Sequence, residues 1–265
     1  MAYTLGVDIG SSSSKALILE NGVRPVSSAA VQVGTGTSGP SRVLKEVFRD
    51  TGLSWEDMAY TVATGYGRFS VDNADKQISE ITCHTKGIAS LFPAARTIID
   101  IGGQDAKAIR LDEHGRILQF YMNDKCAAGT GRFLDVMSRV LEVPLEKMGE
   151  VHFQAGEWAA VSSTCTVFAE SEVISQLAKG VDRKSIVAGV HKSVATKTCS
   201  LVRRCGELQQ QIVMCGGVAQ NAGVVDAMEQ ELGAPITVAP NPQLTGALGA
   251  ALLAWEAYQK QLDME

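Results

Sequence analysis

The stretch VDIGSSSSKALIL forms residues 7–19, and a related stretch, IDIGGQDAKAIRL, forms residues 99–111. Each has the pattern of a strand, a tight polar turn and a second strand. At a constant offset of 92 residues, identical or similar side chains recur at these pairs: Asp8 and Asp100, Ile9 and Ile101, Gly10 and Gly102, Lys15 and Lys107, Ala16 and Ala108, Leu17 and Ile109, and Leu19 and Leu111. The sequence therefore predicts an internal duplication, with chance similarity of two strand–turn–strand units as the alternative.

The segments that follow each copy extend the repeat. A second turn signal comes next, Asn21-Gly22 in the first copy and DEHG at 112–115 in the second, and Asn-Gly between apolar runs is typical of a hairpin. A helical pattern then covers residues 40–51 and 132–143. We expect an α/β fold of two duplicated domains with a cleft between them.

We place the first domain at residues 1–95 and the second at 96–242. The remaining residues, 243–265, contain a run of small side chains from Thr245 to Trp255. This run is shorter than the ~18–20 apolar residues that a membrane span needs. We therefore expect a buried C-terminal helix that packs back on the first domain.

Composition narrows the class of protein. The chain has 265 residues, 45% of them hydrophobic, and a formal charge of −5, which is enough length to bury a proper core. No cluster of Lys and Arg marks a nucleic-acid surface, and the sequence pattern predicts neither a signal peptide nor a membrane span. We expect a cytoplasmic protein with no nucleic acid or membrane among its partners.

The two repeated turns have the chemistry of phosphate loops. In the first, small residues and hydroxyls let backbone N–H groups approach an anion and a lysine adds positive charge; the candidates are Ser11, Ser12, Ser13, Ser14 and Lys15. This loop lacks the Walker A pattern. The second turn offers backbone donors from Gly102 and Gly103. Either loop alone is more often only a turn, so the prediction depends on there being two.

Carboxylates and an amide beside these turns are the candidate catalytic groups. Asp8 and Asp100 come at the ends of their predicted strands, where they can hold Mg²⁺ through water. Gln104 or Asp105 is placed to orient an attacking water. We therefore assign Asp8, Gln104 and Asp105 as candidate catalytic residues, with Asp8 and Asp100 as candidate Mg²⁺ ligands.

A third element is IVMCGGVAQN at 212–221, an apolar run that ends in Gly216-Gly217 and continues into a helical pattern. A glycine pair permits close backbone contact with a flat group such as adenosine, although it also suits a turn that needs positive φ. Two further glycine-rich loops, VGTGTSGP at 33–40 and ATGYGRF at 63–69, lack a lysine. We interpret these two loops first as strand-to-helix turns.

Two cysteines have related settings. Cys126 lies in NDKCAAGTGRF at 123–133, and Cys165 lies in SSTCTVFAESEVISQLAKG at 162–180. Both are predicted at the start of a helix, and a buried thiol is the alternative for either one. The other four are predicted to be buried thiols: Cys83, Cys199, Cys205 and Cys215. The four histidines lack ligand spacing and are predicted to be packing or surface residues: His84, His114, His152 and His191.

The two phosphate-type loops and the Gly216-Gly217 element, in this order, resemble the acetate kinase, sugar kinase, Hsp70 and actin superfamily. That resemblance implies duplicated ribonuclease-H-like domains with a nucleotide cleft. Further stretches make the likeness closer: GVDIGSSSSKALIL, ATGYGR, IDIGGQDAK, NDKCAAGTGRFLDVM, SSTCTVFAESEVISQLAKG, GGVAQN and GALGAAL. Together they resemble the BadF/BadG/BcrA/BcrD ATPase family and, within it, the activators of 2-hydroxyacyl-CoA dehydratases, homodimeric iron–sulfur ATPases of anaerobic metabolism.

The resemblance implies cofactors and partners. ATP or ADP with Mg²⁺ would use the loops named above together with Gln220 and Gln243. One [4Fe–4S] cluster would bridge a homodimer, held by Cys126 and Cys165 of each subunit, because such a cluster takes four thiolates and a twofold interface brings the same patch of each chain together. Single electrons would pass from ferredoxin or flavodoxin to a 2-hydroxyacyl-CoA dehydratase. The alternatives are a sugar-type small-molecule kinase without a cluster and a chaperone-like or regulatory ATPase.

Overall fold

The computed structural model describes residues 1–264. The chain divides into two compact units. The first unit comprises residues 1–95, 114–116 and 239–264, and the second comprises residues 96–113 and 117–238. Each unit contains one five-stranded sheet with helices packed on it.

The regular elements are numbered along the chain. The strands are β1 (Tyr3–Ile9), β2 (Ser14–Glu20), β3 (Arg24–Val31), β4 (Met58–Thr64), β5 (Lys76–Gln77), β6 (Thr97–Ile101), β7 (Ala106–Leu111), β8 (Ile117–Asn123), β9 (Ile212–Cys215) and β10 (Thr237–Val238). The helices are α1 (Gly39–Phe48), α2 (Glu80–Leu91), α3 (Gly131–Leu141), α4 (Met148–His152), α5 (Thr166–Ala178), α6 (Arg183–Arg204), α7 (Ala222–Leu232) and α8 (Thr245–Leu262).

The two sheets share one topology. In the first unit the strand order is β3-β2-β1-β4-β5, and in the second it is β10-β9-β6-β7-β8. Strands β1–β3 form an antiparallel meander, as do β6–β8, while β4 and β9 add parallel to β1 and β6. In matching registers, Asp8 pairs with Lys15 and Asp100 pairs with Lys107. The predicted duplication is therefore present in three dimensions.

The hairpin and helix predictions are confirmed. Asn21 (φ 51°) and Gly22 (φ 69°) are both in the left-handed conformation in the turn from β2 to β3, as the central residues of a type I′ turn must be. The predicted helices at 40–51 and 132–143 are α1 and α3, each starting one residue earlier and ending two or three residues sooner. Helix α3 ends as Glu142 turns to φ 52°, shortly before Pro144, which restricts the residue that precedes it.

The small-residue run near the C-terminus forms a helix in the first unit. Helix α8 packs on β1 and α2, and its buried side is made almost entirely of alanine and glycine. Small side chains let a helix lie close to its neighbours, so the run 245–255 serves packing. Within residues 1–264, no helix has the length and hydrophobicity needed to cross a bilayer.

The histidines are packing or surface residues, as predicted. His84, His152 and His191 are buried, while His114 is exposed.

A series of side-chain hydrogen bonds holds His191 in the interior of the second unit. Oδ1 of Asn221 accepts from two backbone N–H groups of α7, so its Nδ2 is the donor to Nε2 of His191 at 3.2 Å. Neutral His191 therefore carries its proton on Nδ1 and donates to Nδ1 of His152 at 3.1 Å. His152 then donates from Nε2 to Asp226 at 3.0 Å. A second proton on the His191 ring would have to go on Nε2, which already accepts the hydrogen bond from Asn221.

Acid should destabilise the second unit through His191. Burial, and secondarily the charge of His152, lowers the pKa of His191 to about 3. An unfolded histidine takes up its proton near pH 6.5, so the unfolded chain binds more protons between about pH 6.5 and 3. The stability contributed by neutral His191 is complete above pH 6.5 and is lost as pH falls through that window, by at most about 1.4 kcal/mol per pH unit for one proton.

Urea unfolding at pH 7.5, 6.5 and 5.5 measures this dependence, followed by the fluorescence of Trp158 in a protein whose Trp55 and Trp255 are replaced by phenylalanine. We expect His191→Gln to flatten it and the exposed control His114→Gln to leave it unchanged. An unaltered pH slope in His191→Gln would show that other groups cause the acid sensitivity.

Candidate functional site: nucleotide loops and two exposed cysteines

Each repeat presents a carboxylate paired with a lysine on the next strand. Asp8 and Asp100 occupy the penultimate positions of β1 and β6 and are each 3% exposed. Nζ of Lys15 lies 3.3 Å from Asp8, and Nζ of Lys107 lies 3.1 Å from Asp100. Buried charges need such partners, because desolvation otherwise disfavours the ionised forms. The sequence repeat thus encodes two equivalent ion pairs at two equivalent strand ends.

The first loop is closed by a hydrogen bond from Gly10 N–H to the Ser13 carbonyl, at 2.9 Å. Ser11, Ser12 and Ser13 are at least partly exposed, as a phosphate loop requires. The Ser14 side chain is fully buried, and its hydroxyl donates to the Val33 carbonyl at 2.8 Å. Ser14 is the first residue of β2, and its hydroxyl joins this strand to the loop at 33–40.

The second loop has the same closure, from Gly102 N–H to the Asp105 carbonyl at 2.9 Å. Asp105 is buried, and its carboxylate lies 2.5 Å from Nζ of Lys107. Gln104 is exposed. Of the two residues predicted to orient a water, Gln104 has the accessible side chain, whereas Asp105 is engaged in an ion pair.

This second loop is bonded to the start of α3. The carbonyls of Gly102 and Gly103 accept from the N–H groups of Gly131 and Arg132, at 2.9 and 2.7 Å. These bonds use N–H groups of a helix start that have no partner inside the helix. Two backbone hydrogen bonds therefore join the second loop to the start of α3, the helix that follows the Cys126 loop.

The glycine pair combines a turn with an exposed surface. Gly216 is buried with φ 84°, and a methyl group there would lie 2.4 Å from the Ile101 carbonyl and 2.5 Å from Oδ1 of Asp100. Gly217 is exposed with nothing within 4 Å of its Cβ position, and Gln220 is also exposed. The structure thus brings this loop against the end of β6 and leaves Gly217 and Gln220 open.

Sequence reasoning missed the counterpart of Gly216 in the first unit. Gly65 has φ 86°, and a methyl group there would lie 2.5 Å from both the Ile9 carbonyl and Oδ1 of Asp8. It follows β4 as Gly216 follows β9. The loop at 63–69 therefore lies against the aspartate at the end of β1 as the Gly216 loop lies against the aspartate at the end of β6. The pattern that the two loops share, a glycine directly after an apolar strand, could have suggested this equivalence. The last predicted nucleotide residue, Gln243, lies half-buried in a 3₁₀ turn of the first unit.

The six cysteines fall into two groups. Cys83, Cys199, Cys205 and Cys215 are buried, as predicted, while Cys126 and Cys165 are partly exposed. Burial raises the pKa of Cys83 and Cys199 to about 12 and also raises that of Cys205. Because the thiolate is the metal ligand and the nucleophile, these buried thiols are poorly suited to either role.

The helix prediction holds for one of the two exposed cysteines. Cys165 is the N-cap residue of α5, and its side chain accepts no capping hydrogen bond. Cys126 instead lies in the loop between β8 and α3, several residues before α3 begins at Gly131. The Ala-Ala-Gly-Thr segment after Cys126 forms a turn, from the Thr130 N–H to the Ala127 carbonyl, and this turn separates Cys126 from the start of α3.

Polar groups beside both cysteines have no partner among the described residues. The N–H groups of residues 126–129 donate no hydrogen bond, and the first turn of α5 leaves N–H groups without acceptors inside the helix. The Thr166 hydroxyl, next to Cys165, is buried and has no partner either. Two accessible thiols with adjacent unused donors have the chemistry of a site for an anionic, thiolate-bound group.

Comparison with known proteins identifies the family. The profile of the BadF/BadG/BcrA/BcrD ATPase family matches residues 5–254. The chain belongs to this ATPase family.

Two relatives of high sequence identity have a more specific description than the family as a whole. The chain is 64% identical to the activator of lactoyl-CoA dehydratase of Anaerotignum propionicum, over 98% of this chain and 100% of the relative. It is 52% identical to the (R)-2-hydroxyglutaryl-CoA dehydratase activating ATPase of Acidaminococcus fermentans, over 97% and 99% of the two chains. High-identity relatives are therefore dehydratase activators.

Solved structures confirm the predicted fold class. The activator of the 2-hydroxyisocaproyl-CoA dehydratase from Clostridium difficile, with bound ADPNP, superposes with a TM-score of 0.96 at 53% identity, covering 99% of this chain and 98% of the other. A ROK family glucokinase from Streptomyces griseus, at 12% identity and a TM-score of 0.60, shows the fold alone. The two units are duplicated ribonuclease-H-like domains of the actin, Hsp70 and sugar kinase type.

Proposed function

We propose that this protein is an ATP-dependent activator of a 2-hydroxyacyl-CoA dehydratase, to which it delivers single electrons. The observation that carries the proposal is the pair of partly exposed cysteines, Cys126 and Cys165, in a chain whose other cysteines are all buried. High identity to dehydratase activators over nearly the whole chain supports the partner. The sugar-type kinase shares only the fold at low identity, and it would have no use for two accessible thiols.

The repeated loops are proposed to bind the nucleotide. Backbone N–H groups of residues 11–13 and of Gly103 face phosphate, since those of Gly10 and Gly102 close their own loops. Gly217 and Gln220 face adenosine, and Gln243 completes the set. Asp8 and Asp100 hold Mg²⁺ through water. Gln104 orients the attacking water, since Asp105 is held by Lys107. The ATPase family and the ADPNP-bound relative support nucleotide binding.

Coupling between nucleotide and cysteine is proposed to run through α3. The bonds from Gly102 and Gly103 to the first N–H groups of α3 join the phosphate loop to the segment after Cys126. Loss of the γ-phosphate would shift the loop, and α3 would move with it, since both bonds are short backbone contacts. This is a local route for ligand-driven movement of packed elements.

The donor set fits a [4Fe–4S] cluster shared by two copies of the chain. One chain supplies two accessible thiols, Cys126 and Cys165, and such a cluster takes four thiolates, so a homodimer with an isologous interface completes the set. Unused N–H groups beside both cysteines and the unpartnered Thr166 hydroxyl suit an anionic group. Bound there, the cluster would supply one-electron chemistry at low potential.

Exposed apolar side chains next to Cys165 support a covered surface at this site. Val167 is 65% exposed and Phe168 is 67% exposed, both in the first turn of α5. A contiguous patch of exposed apolar side chains on a soluble protein marks an interaction site. In the proposed assembly the second copy covers them, and ferredoxin or flavodoxin is the proposed electron donor.

Strictly anaerobic purification tests the proposal. We expect about four iron and four sulfide per dimer, and a broad thiolate-to-iron absorption band that is bleached by reductant. We also expect ATP-dependent activation of a dehydratase purified without its activator. Absence of iron after anaerobic reconstitution would overturn the electron-transfer function and leave an ATPase of another role.

A further inference from the structure

The loop that carries Cys126 is shaped by one side chain at the end of β8. Nδ2 of Asn123 donates to the Cys126 carbonyl at 2.8 Å and to the Ala128 carbonyl at 3.2 Å. Between them, the Ala127 carbonyl accepts from the Thr130 hydroxyl at 2.7 Å. Three consecutive carbonyls of the loop are thus held by donors within the same segment.

The position of these carbonyls fixes the direction of the N–H groups. In a trans peptide the C=O and the following N–H point to opposite sides, and no cis bond occurs in this loop among the described residues. The N–H groups of Ala127 and Gly129, which follow the two carbonyls bound by Asn123, are therefore directed away from Asn123, and neither has an acceptor in the described part of the chain. Gly129, at φ 84°, gives the loop the curvature of a backbone anion nest.

We infer that Asn123 is the positioning residue of the Cys126 site. It holds the carbonyls of Cys126 and Ala128 away from the bound group and so keeps the N–H donors of Ala127 and Gly129 directed towards that group. The inference rests on the proposed function, because the group in question is the [4Fe–4S] cluster. Asn123 would act through the loop carbonyls that it binds and not as a ligand.

The structural reason is electrostatic. Hydrogen bonds to cluster sulfurs stabilise the added electron and raise the reduction potential. Without the Asn123 amide, the two carbonyls lose their donor and the loop is free to turn its oxygens towards the same anionic group. Both changes weaken cluster binding and make its reduction less favourable.

The test compares Asn123→Ala and Asn123→Asp with Gln119→Ala in the reconstituted full-length dimer. Asn123→Asp keeps the shape but removes the donor. Gln119 is an exposed amide on the same strand, with no role in the loop. We expect iron loss to a chelator to be about tenfold or more faster in both Asn123 variants, as for other residues that orient metal ligands, with a more negative reduction potential, while Gln119→Ala matches the wild type.

A second readout needs no cluster. In the iron-free protein, the alkylation rate of Cys126 should change in Asn123→Ala while that of Cys165 does not, which separates a loop effect from general unfolding. Wild-type iron-release rate and potential in both Asn123 variants would overturn the inference. Failure of the wild-type dimer itself to take up iron would instead overturn the proposed function, so the two failures are distinguishable.

Discussion

Replacing Cys126 with alanine is expected to abolish activation of the dehydratase while ATP hydrolysis is retained. A dimer of this variant offers two thiolates in place of four, and a [4Fe–4S] cluster does not assemble on two. The nucleotide loops are separate in sequence from Cys126 and keep their own backbone bonds. We expect iron per dimer to fall from about four to near zero, and Cys165→Ala to behave in the same way.

The matched control is Cys199→Ala. Cys199 is fully buried in the second unit, and burial raises its pKa to about 12, so its loss removes packing without removing a ligand. This variant should keep both iron and activation, at a modest cost in stability. Activation by Cys126→Ala at the wild-type rate would show that the electron does not pass through a centre held by this cysteine.

The fold was largely predictable because its determining pattern is local. The strand–turn–strand repeat contains the apolar alternation, the turn and the Asp–Lys pair within 13 residues, and β1 and β2 pair Asp8 with Lys15 as the repeat implies. The same holds for Asp100 and Lys107 in the second unit. Local patterns of this kind agree with the tertiary structure whenever neighbouring strands pair.

The parts of the site that were missed depend on tertiary position. Gly65 and Gly216 are equivalent in the two sheets but are not separated by the repeat offset, because the second unit carries α3 to α6 between β8 and β9, whereas the first has only α1 between β3 and β4. The hydrogen bond of the Ser14 hydroxyl was not predictable from the local sequence, because its acceptor, the Val33 carbonyl, lies on the far side of a hairpin.

The cysteine loop shows the same limit. The sequence NDKCAAGTG predicts a turn followed by a helix, but it does not say which side chain satisfies which carbonyl. The two bonds from Asn123 exist only because β8 ends where it does, with Asn123 as its last residue. Hydrogen bonding in loops follows from such placement and not from residue type alone.

Replacing Gly216 with alanine is expected to destabilise the protein strongly. Among glycine-to-alanine substitutions in the nucleotide loops, we expect this one to cause the largest loss of stability. Two costs combine: φ 84° lies in the left-handed region, and the new methyl would lie 2.4 Å from the Ile101 carbonyl and 2.5 Å from Asp100. Strain of this kind costs of order 1–3 kcal/mol, and overlap with backbone atoms adds to it. We expect a loss of about 4 kcal/mol or more in the free energy of unfolding of the second unit, a range that requires such a mechanism.

The control separates the two costs. Gly233 also has positive φ, 66°, but nothing lies within 4 Å of its Cβ position, so Gly233→Ala has strain without overlap and should lose about 1 kcal/mol. The first unit offers an independent repeat of the comparison. There Gly65 (φ 86°) would place its methyl 2.5 Å from the Ile9 carbonyl, whereas Gly52 (φ 72°) has open space.

The measurement is urea unfolding of the nucleotide-free protein, with each unit followed by its own tryptophan. Trp158 reports the second unit when Trp55 and Trp255 are replaced by phenylalanine, which avoids treating two units as one transition. Because Gly216 contacts the end of β6 beside Asp100, its alanine variant should also bind ATP more weakly than Gly233→Ala does. Equal stability of the Gly216 and Gly233 variants would mean that the loop relaxes away from β6 at little cost, and that its close approach to Asp100 is not what fixes the geometry of the nucleotide site.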